Sequence, residues 1–212
     1  MRDIIAELNA VHRHVADGEL AGEPTRTVAL KRTYDAPVED VWDAITDPER
    51  IARWFSRVTG DFRVGGKYQV EGNAGGEILR CEPPRALRVT WVMGEGLSEV
   101  EVRLSDGSDG DTVLALEHTA AAVETEFWNR YGPGAVGVGW DLALLGLALY
   151  VPGGEYIEES EREAWGMSEE GRRFMTASAA AWGAAHQAFG ATAEEAATAA
   201  KNTEEFYVPP RP

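Results

Sequence analysis

The chain is poor in several things that would decide its class at once. It has a single cysteine, Cys81. An internal disulfide and a cysteine-rich zinc site are therefore both excluded. No apolar run reaches the roughly 18 residues that a membrane-crossing helix needs. The opening Met1-Arg2-Asp3 is followed by Glu7 rather than by the apolar core of a secretory signal, so a soluble, cytoplasmic protein is expected. Positive charge is scarce, with 20 basic against 36 acidic residues and a net charge of −16. A surface of that sign repels phosphate backbones and anionic lipid, and Lys31-Arg32 and Arg172-Arg173 are too small to form a basic patch. Nucleic acid and membrane are thus not expected partners. Histidine is scarce too: His12, His14, His118 and His186. None lies in a motif for a metal or a nucleophile triad, so no metal, cofactor or catalytic residue is assigned. The glycine runs at Gly65-Gly66 and Gly72–Gly76 lack the helix and Gly-Lys-Ser/Thr of a phosphate cradle, and read as hairpin turns.

What the chain does have is core: 44% of its 212 residues are hydrophobic. Ile4, Ile5, Leu8, Val11 and Val15 predict a helix over residues 4–16, ended by Asp17-Gly18 and Gly22-Glu23-Pro24. Thr25–Tyr34 reads as a strand. Pro37 then opens a helix carrying Val38, Val41, Trp42 and Ile45, and Asp47-Pro48 caps a shorter one with Ile51, Trp54 and Phe55. Six short β-prone segments follow: Phe62–Val64, Lys67–Gly72, Gly76–Glu82, Ala86–Met93, Leu97–Leu104 and Thr112–His118. Turn signals separate them, including Gly94-Glu95-Gly96, which predicts an antiparallel meander. After Gly132-Pro133-Gly134 comes a helix that is apolar nearly all round, from Val136 to Tyr150, and must be buried on most sides. One curved antiparallel sheet wrapped around that helix satisfies the order, with room for a ligand between them.

Past Pro152-Gly153-Gly154 the composition shifts to a glutamate-rich stretch, residues 155–163. A helix capped by Ser168 then carries Phe174, Met175, Ser178, Trp182, Ala185 and Phe189, and Thr192–Glu195 is a capping box for a short helix to about Ala200. The tail from Phe206 to Pro212 is expected to be extended. The implied organisation is an N-terminal helical extension at 1–24, a main domain at 25–151, and a helical extension with an extended tail at 152–212.

The stretch Arg32–Glu49 with Trp54-Phe55, then Gly76–Trp91, then Gly137-Val138-Gly139-Trp140-Asp141, resembles bacterial relatives of the activator of heat-shock-protein-90 ATPase. These belong to the START-like, polyketide-cyclase-like superfamily known as SRPBCC. The likeness spans roughly residues 26–151. It implies an α+β helix-grip fold, a sheet wrapped around a long C-terminal helix with helices added at both ends. It leaves activity open, because this superfamily hosts carriers, cyclases, receptors and co-chaperones.

Five residues are candidates for contact with a ligand: Trp54, Trp91, His118, Trp140 and Asp141. The tryptophans sit at element positions that point inward. One of Glu117 and His118 must face the concave side of the sheet. Asp141 lies in an apolar helix, where a carboxylate must be paired, exposed or functional. The leading expectation is non-catalytic binding of a small hydrophobic molecule. A second is a protein-interaction module with a second copy of the chain or a chaperone as partner. A third is a cyclase-like enzyme using His118, Glu117 or Asp141.

Overall fold

The computed structural model describes residues 3–20, 22–93, 96–122, 125–154 and 158–209. The expected turn at 94–95, the start of the glutamate-rich stretch and the last three residues of the tail lie outside the described residues. The chain is α+β. It runs α1 (Ile4–Asn9), β1 (His12–Leu20), β2 (Glu23–Tyr34), α2 (Val38–Thr46), α3 (Pro48–Ile51) and β3 (Val58–Gly60). Next come β4 (Lys67–Val70), β5 (Gly75–Glu82), β6 (Ala86–Met93), β7 (Gly96–Asp106) and β8 (Thr112–Ala121). The helices α4 (Glu126–Tyr131), α5 (Gly134–Tyr150), α6 (Glu159–Met167), α7 (Glu169–Phe189) and α8 (Ala193–Tyr207) complete it. The strands form one sheet in the order β1-β2-β8-β7-β6-β5-β4-β3. Pairing from β3 through β8 is antiparallel throughout.

Two compact units are distinguished. The first gathers Met1–Val28, Ala122–Leu145 and Ile157–Pro212. The second gathers Ala29–Ala121 and Gly146–Tyr156. In the second unit, Asp47 caps α3 by accepting hydrogen bonds from the Glu49 and Arg50 amides, as the sequence predicts. Trp54 Nε1 donates to Ala44 O at 2.9 Å and ties α3 back to α2. A Cβ at Gly146 would come within 2.7 Å of Trp54 O, so the glycine is what lets the end of α5 lie against that backbone. In the first unit α7 starts at its expected Ser168 cap and buries Phe174, Met175, Ser178 and Trp182. α8 opens with the expected capping box of Thr192 and Glu195.

Several boundaries differ from the sequence reading. The helix expected over residues 4–16 stops at Asn9, and His12–Leu20 is a strand. Val11 and Val15 are both buried while His12 and His14 are exposed, a strand alternation. A spacing of four fits either period, which is why the stripe misled. Phe62–Val64 is a loop. Arg63 N donates to Asp61 O, and Gly65 N to Ile78 O; the strand of this region is Val58–Gly60 instead. Helix α8 runs on to Tyr207, so Phe206 and Tyr207 are helical rather than extended. Tyr207 Oη donates to Ala135 O at 2.7 Å, which holds that end down.

Candidate functional site

The sheet of the second unit has two unlike faces, and the alternation along β6, β7 and β8 makes both. On one face Leu87 lies opposite Val102, Val89 opposite Val100 and Trp91 opposite Ser98. Across the next pairing Val100 lies opposite His118, Val102 opposite Leu116 and Leu104 opposite Leu114. On the other face the charged residues among those between them pair with one another. Arg88 pairs with Glu99, Arg80 with Glu82 and Glu101, and Arg103 with Glu101 and Glu117. Such exposed pairs are screened by water, so they solvate that face more than they hold it together.

Burial of the apolar face is uneven. Val89, Val100, Leu104, Leu114 and Leu116 are buried. Leu87, Trp91, Ser98, Val102, His118 and Ala120 are only half-buried. Trp91 and His118 meet edge to face, with ring centroids 6.3 Å apart. Ser98 Oγ lies 2.7 Å from His118 Nε2 and 2.9 Å from Trp91 O. Desolvation pushes the His118 pKa down from 6.5 to about 4. Burial beside the apolar side chains of this face disfavours the charged ring, so the imidazole is neutral at pH 7. Of the expected residues, Trp91 and His118 are thus brought together, and Ser98 joins them. Sequence reasoning missed Ser98, although its even spacing from Val100, Val102 and Leu104 places it on the same face.

Trp54 is also in the second unit, half-buried, with a ring centroid 5.6 Å from that of Phe55. Trp140 and Asp141 belong to the first unit, where Trp140 is half-buried on α5. Asp141 is 1% exposed and is met entirely by side chains of its own unit. Arg13 donates from Nε to Oδ2 at 3.0 Å and from Nη2 to Oδ1 at 2.9 Å. Ser178 Oγ and Trp182 Nε1 donate to Oδ2 at 2.5 and 2.9 Å. Burial pushes this carboxyl's pKa up, and the donors from Arg13, Ser178 and Trp182 oppose the rise. Arg13 also donates to Val11 O and Leu8 O, so one buried ion pair fastens β1, α5 and α7. Glu117 points to the charged face, opposite to His118. The acid–base trio that a cyclase-like reading would use is therefore not assembled on one surface.

The first unit has a cleft of its own, about 650 Å³, lined by Asp17, Trp128, His186, Phe189, Glu194 and Glu195 among others. Arg26 covers part of its aromatic wall, with its guanidinium 4.3 Å from the Trp128 ring centre and ion-paired to Asp17 at 3.2 Å. His186 Nδ1 is buried without a hydrogen-bond partner among the described residues, and burial lowers this histidine's pKa. The described residues hold no cluster of three or more metal-binding side chains, and no described helix is long and apolar enough to cross a membrane.

Residues 35–151 match the profile of the family described as activator of Hsp90 ATPase homolog 1-like protein. No curated protein matches the chain. Among solved structures, the crystal structure of CalU16 from Micromonospora echinospora is 37% identical, with a TM-score of 0.68, over 84% of this chain and 99% of that one. The solution structure of CalU16 aligns with a TM-score of 0.71 over 85% of this chain and 97% of that one, also at 37% identity. PFC0360w from Plasmodium falciparum, described as an HSP90 activator, is 24% identical, with a TM-score of 0.51 over 62% of this chain and 97% of that one. At that identity it shows the fold alone. The strand order and long C-terminal helices agree with the helix-grip class of these relatives.

Proposed function

Because the chain belongs to the activator of Hsp90 ATPase homolog 1-like family, we propose that it uses the apolar sheet face of its second unit to bind a small hydrophobic molecule without catalysis. The observation that carries this reading is the half-buried corner of Trp91, Ser98 and His118, continuous with Leu87 and Val102. An apolar surface with a few convergent polar groups and a perturbed imidazole is what a small-molecule site needs. Closing the corner with a ligand removes apolar area from water at roughly 25 cal/mol per Å². Trp54, of the same unit, stands as a further candidate for contact, and Trp140, of the first unit, is not assigned to this face. Asp141 is assigned a structural role, because four hydrogen bonds from its own chain meet its carboxylate.

Native mass spectrometry of freshly purified protein tests this directly. A mass excess that disappears on denaturation supports binding and identifies the class of molecule. A bare mass, together with a melting temperature that no neutral aromatic compound raises, counts against it.

One observation favours a second reading, docking of a protein. Phe62, Val64 and Leu79 of the second unit are 48%, 54% and 36% exposed, and a structural relative is described as an HSP90 activator. Pull-down with purified Hsp90, against a Phe62→Ser/Val64→Ser variant, separates the two readings. Loss of capture in the variant supports docking, and no capture by wild type removes it.

A further inference from the structure

Ser98 Oγ contacts two groups at once, Trp91 O at 2.9 Å and His118 Nε2 at 2.7 Å. A carbonyl oxygen only accepts, and the single Ser98 hydroxyl proton goes either to Trp91 O or to His118 Nε2. Whichever tautomer the His118 ring adopts, Ser98 has one proton to give, and at least one lone pair of Oγ remains to accept. The polar corner of the face therefore offers an acceptor and has spent its proton.

The surroundings limit charge as well as proton direction. Positions 87–93 of β6, 98–104 of β7 and 114–120 of β8 that alternate onto this face carry no charged side chain. The arginines and glutamates of these strands lie on the opposite face and pair with one another. The buried cation of β2, Arg32, stacks 5.2 Å from the Tyr34 ring of its own strand. An ionised ligand group brought to Trp91 and His118 would lose hydration and meet no charged side chain of β6, β7 or β8 on this face. A carbonyl or ether oxygen would meet a second acceptor. A neutral hydroxyl meets what it needs.

Resting on the ligand-binding reading, we propose that the ligand is an uncharged aromatic molecule bearing a hydroxyl group, its ring against Trp91 and its O–H donated to Ser98 Oγ. The test is calorimetric titration of the full chain at pH 7 with three probes of one ring size: 2-naphthol, 2-methoxynaphthalene and 2-naphthoate. The proposal expects 2-naphthol to bind about tenfold more tightly than its methyl ether, although the ether is the more apolar molecule. It expects 2-naphthoate to be the weakest of the three. In Ser98→Ala the naphthol preference falls to within about twofold while the ether keeps its affinity. In Ser98→Thr, which retains the hydroxyl, the preference persists; this controls for a general disturbance of the fold. Equal binding of naphthol and ether by wild type, or tightest binding of the carboxylate, overturns the proposal and leaves the ligand-binding reading standing. Binding of none of the three overturns that reading, and the proposal with it.

Discussion

Trp182 lies against α5 in a way that explains two residues of the Gly137–Asp141 stretch together. Its indole N–H reaches Asp141, and its ring lies where a Cβ on Gly137 would come within 2.1 Å. Residues four apart share a helix face, so a glycine seats the ring and an aspartate receives its proton. Asp141→Asn leaves the Arg13 charge buried without its counter-ion, and a loss of about 3–5 kcal/mol is expected in chemical denaturation. Gly137→Ala should destabilise by about 1–3 kcal/mol, because neither the helix backbone nor a fully buried indole can yield freely. His118 gives a pH dependence of defined sign. In the unfolded chain it takes up a proton near pH 6.5, and in the folded chain only near pH 4. Between those values the unfolded state binds more protons, so stability falls as pH drops from 6.5 toward 4. His118→Gln should flatten that part of the stability curve, measured by urea denaturation at pH 7, 5.5 and 4.5. At this scale the sequence was uneven as a guide. It pointed Trp91 inward and put one of Glu117 and His118 on the concave face, but it could not tell which of the two, nor whether Asp141 would meet a ligand or Arg13. That distinction depends on residues 128 positions apart in sequence.

Elements were legible where their end signals were local. Asp47, Ser168 and the Thr192–Glu195 box each cap the helix they announce. Thr192→Ala should cost about 1 kcal/mol and raise amide exchange in the first turn of α8 before the rest of the molecule responds. The misreadings came where local signals fit two structures or where a distant partner decided. Val11 and Val15 suit a helix and a strand alike, and hydrogen-bonding to a neighbouring strand settles the matter for β1. The tail looked extended because Pro209 and Pro210 follow it, yet Tyr207 anchors a full helical turn through Ala135. Helix α4 is only six residues long, and its signals, the Phe127–Tyr131 spacing and the Thr125 cap whose side chain accepts from the Trp128 amide, were passed over in the sequence. Phe62–Val64 had strand composition but sits beside Gly65 and Gly66, whose turn takes the backbone partners that a strand would have used.

At the scale of the whole molecule, the segments that composition sets apart as additions, 1–24 and 152–212, do not stand alone. Residues 1–28 and 157–212 cluster with Ala122–Leu145 in the first unit. Deleting residues 155–212 removes Ser178 and Trp182 from Asp141, and uncovers the face of α5 that carries Gly137 and Asp141. A chain ending at residue 154 should therefore be insoluble or lose cooperative unfolding, as read by size-exclusion chromatography and circular dichroism. The second unit carries the site on which the account turns, and a neutral fluorescent probe reads it most directly. N-phenyl-1-naphthylamine titrated into wild type should give a saturable, one-to-one rise in fluorescence in the micromolar range. Ala120→Glu, which puts a charge on the same face at a half-buried position opposite Ser98, should abolish that rise while leaving the melting temperature within a few degrees. A linear, unsaturable response from wild type, or a response that Ala120→Glu leaves unchanged, would contradict the account.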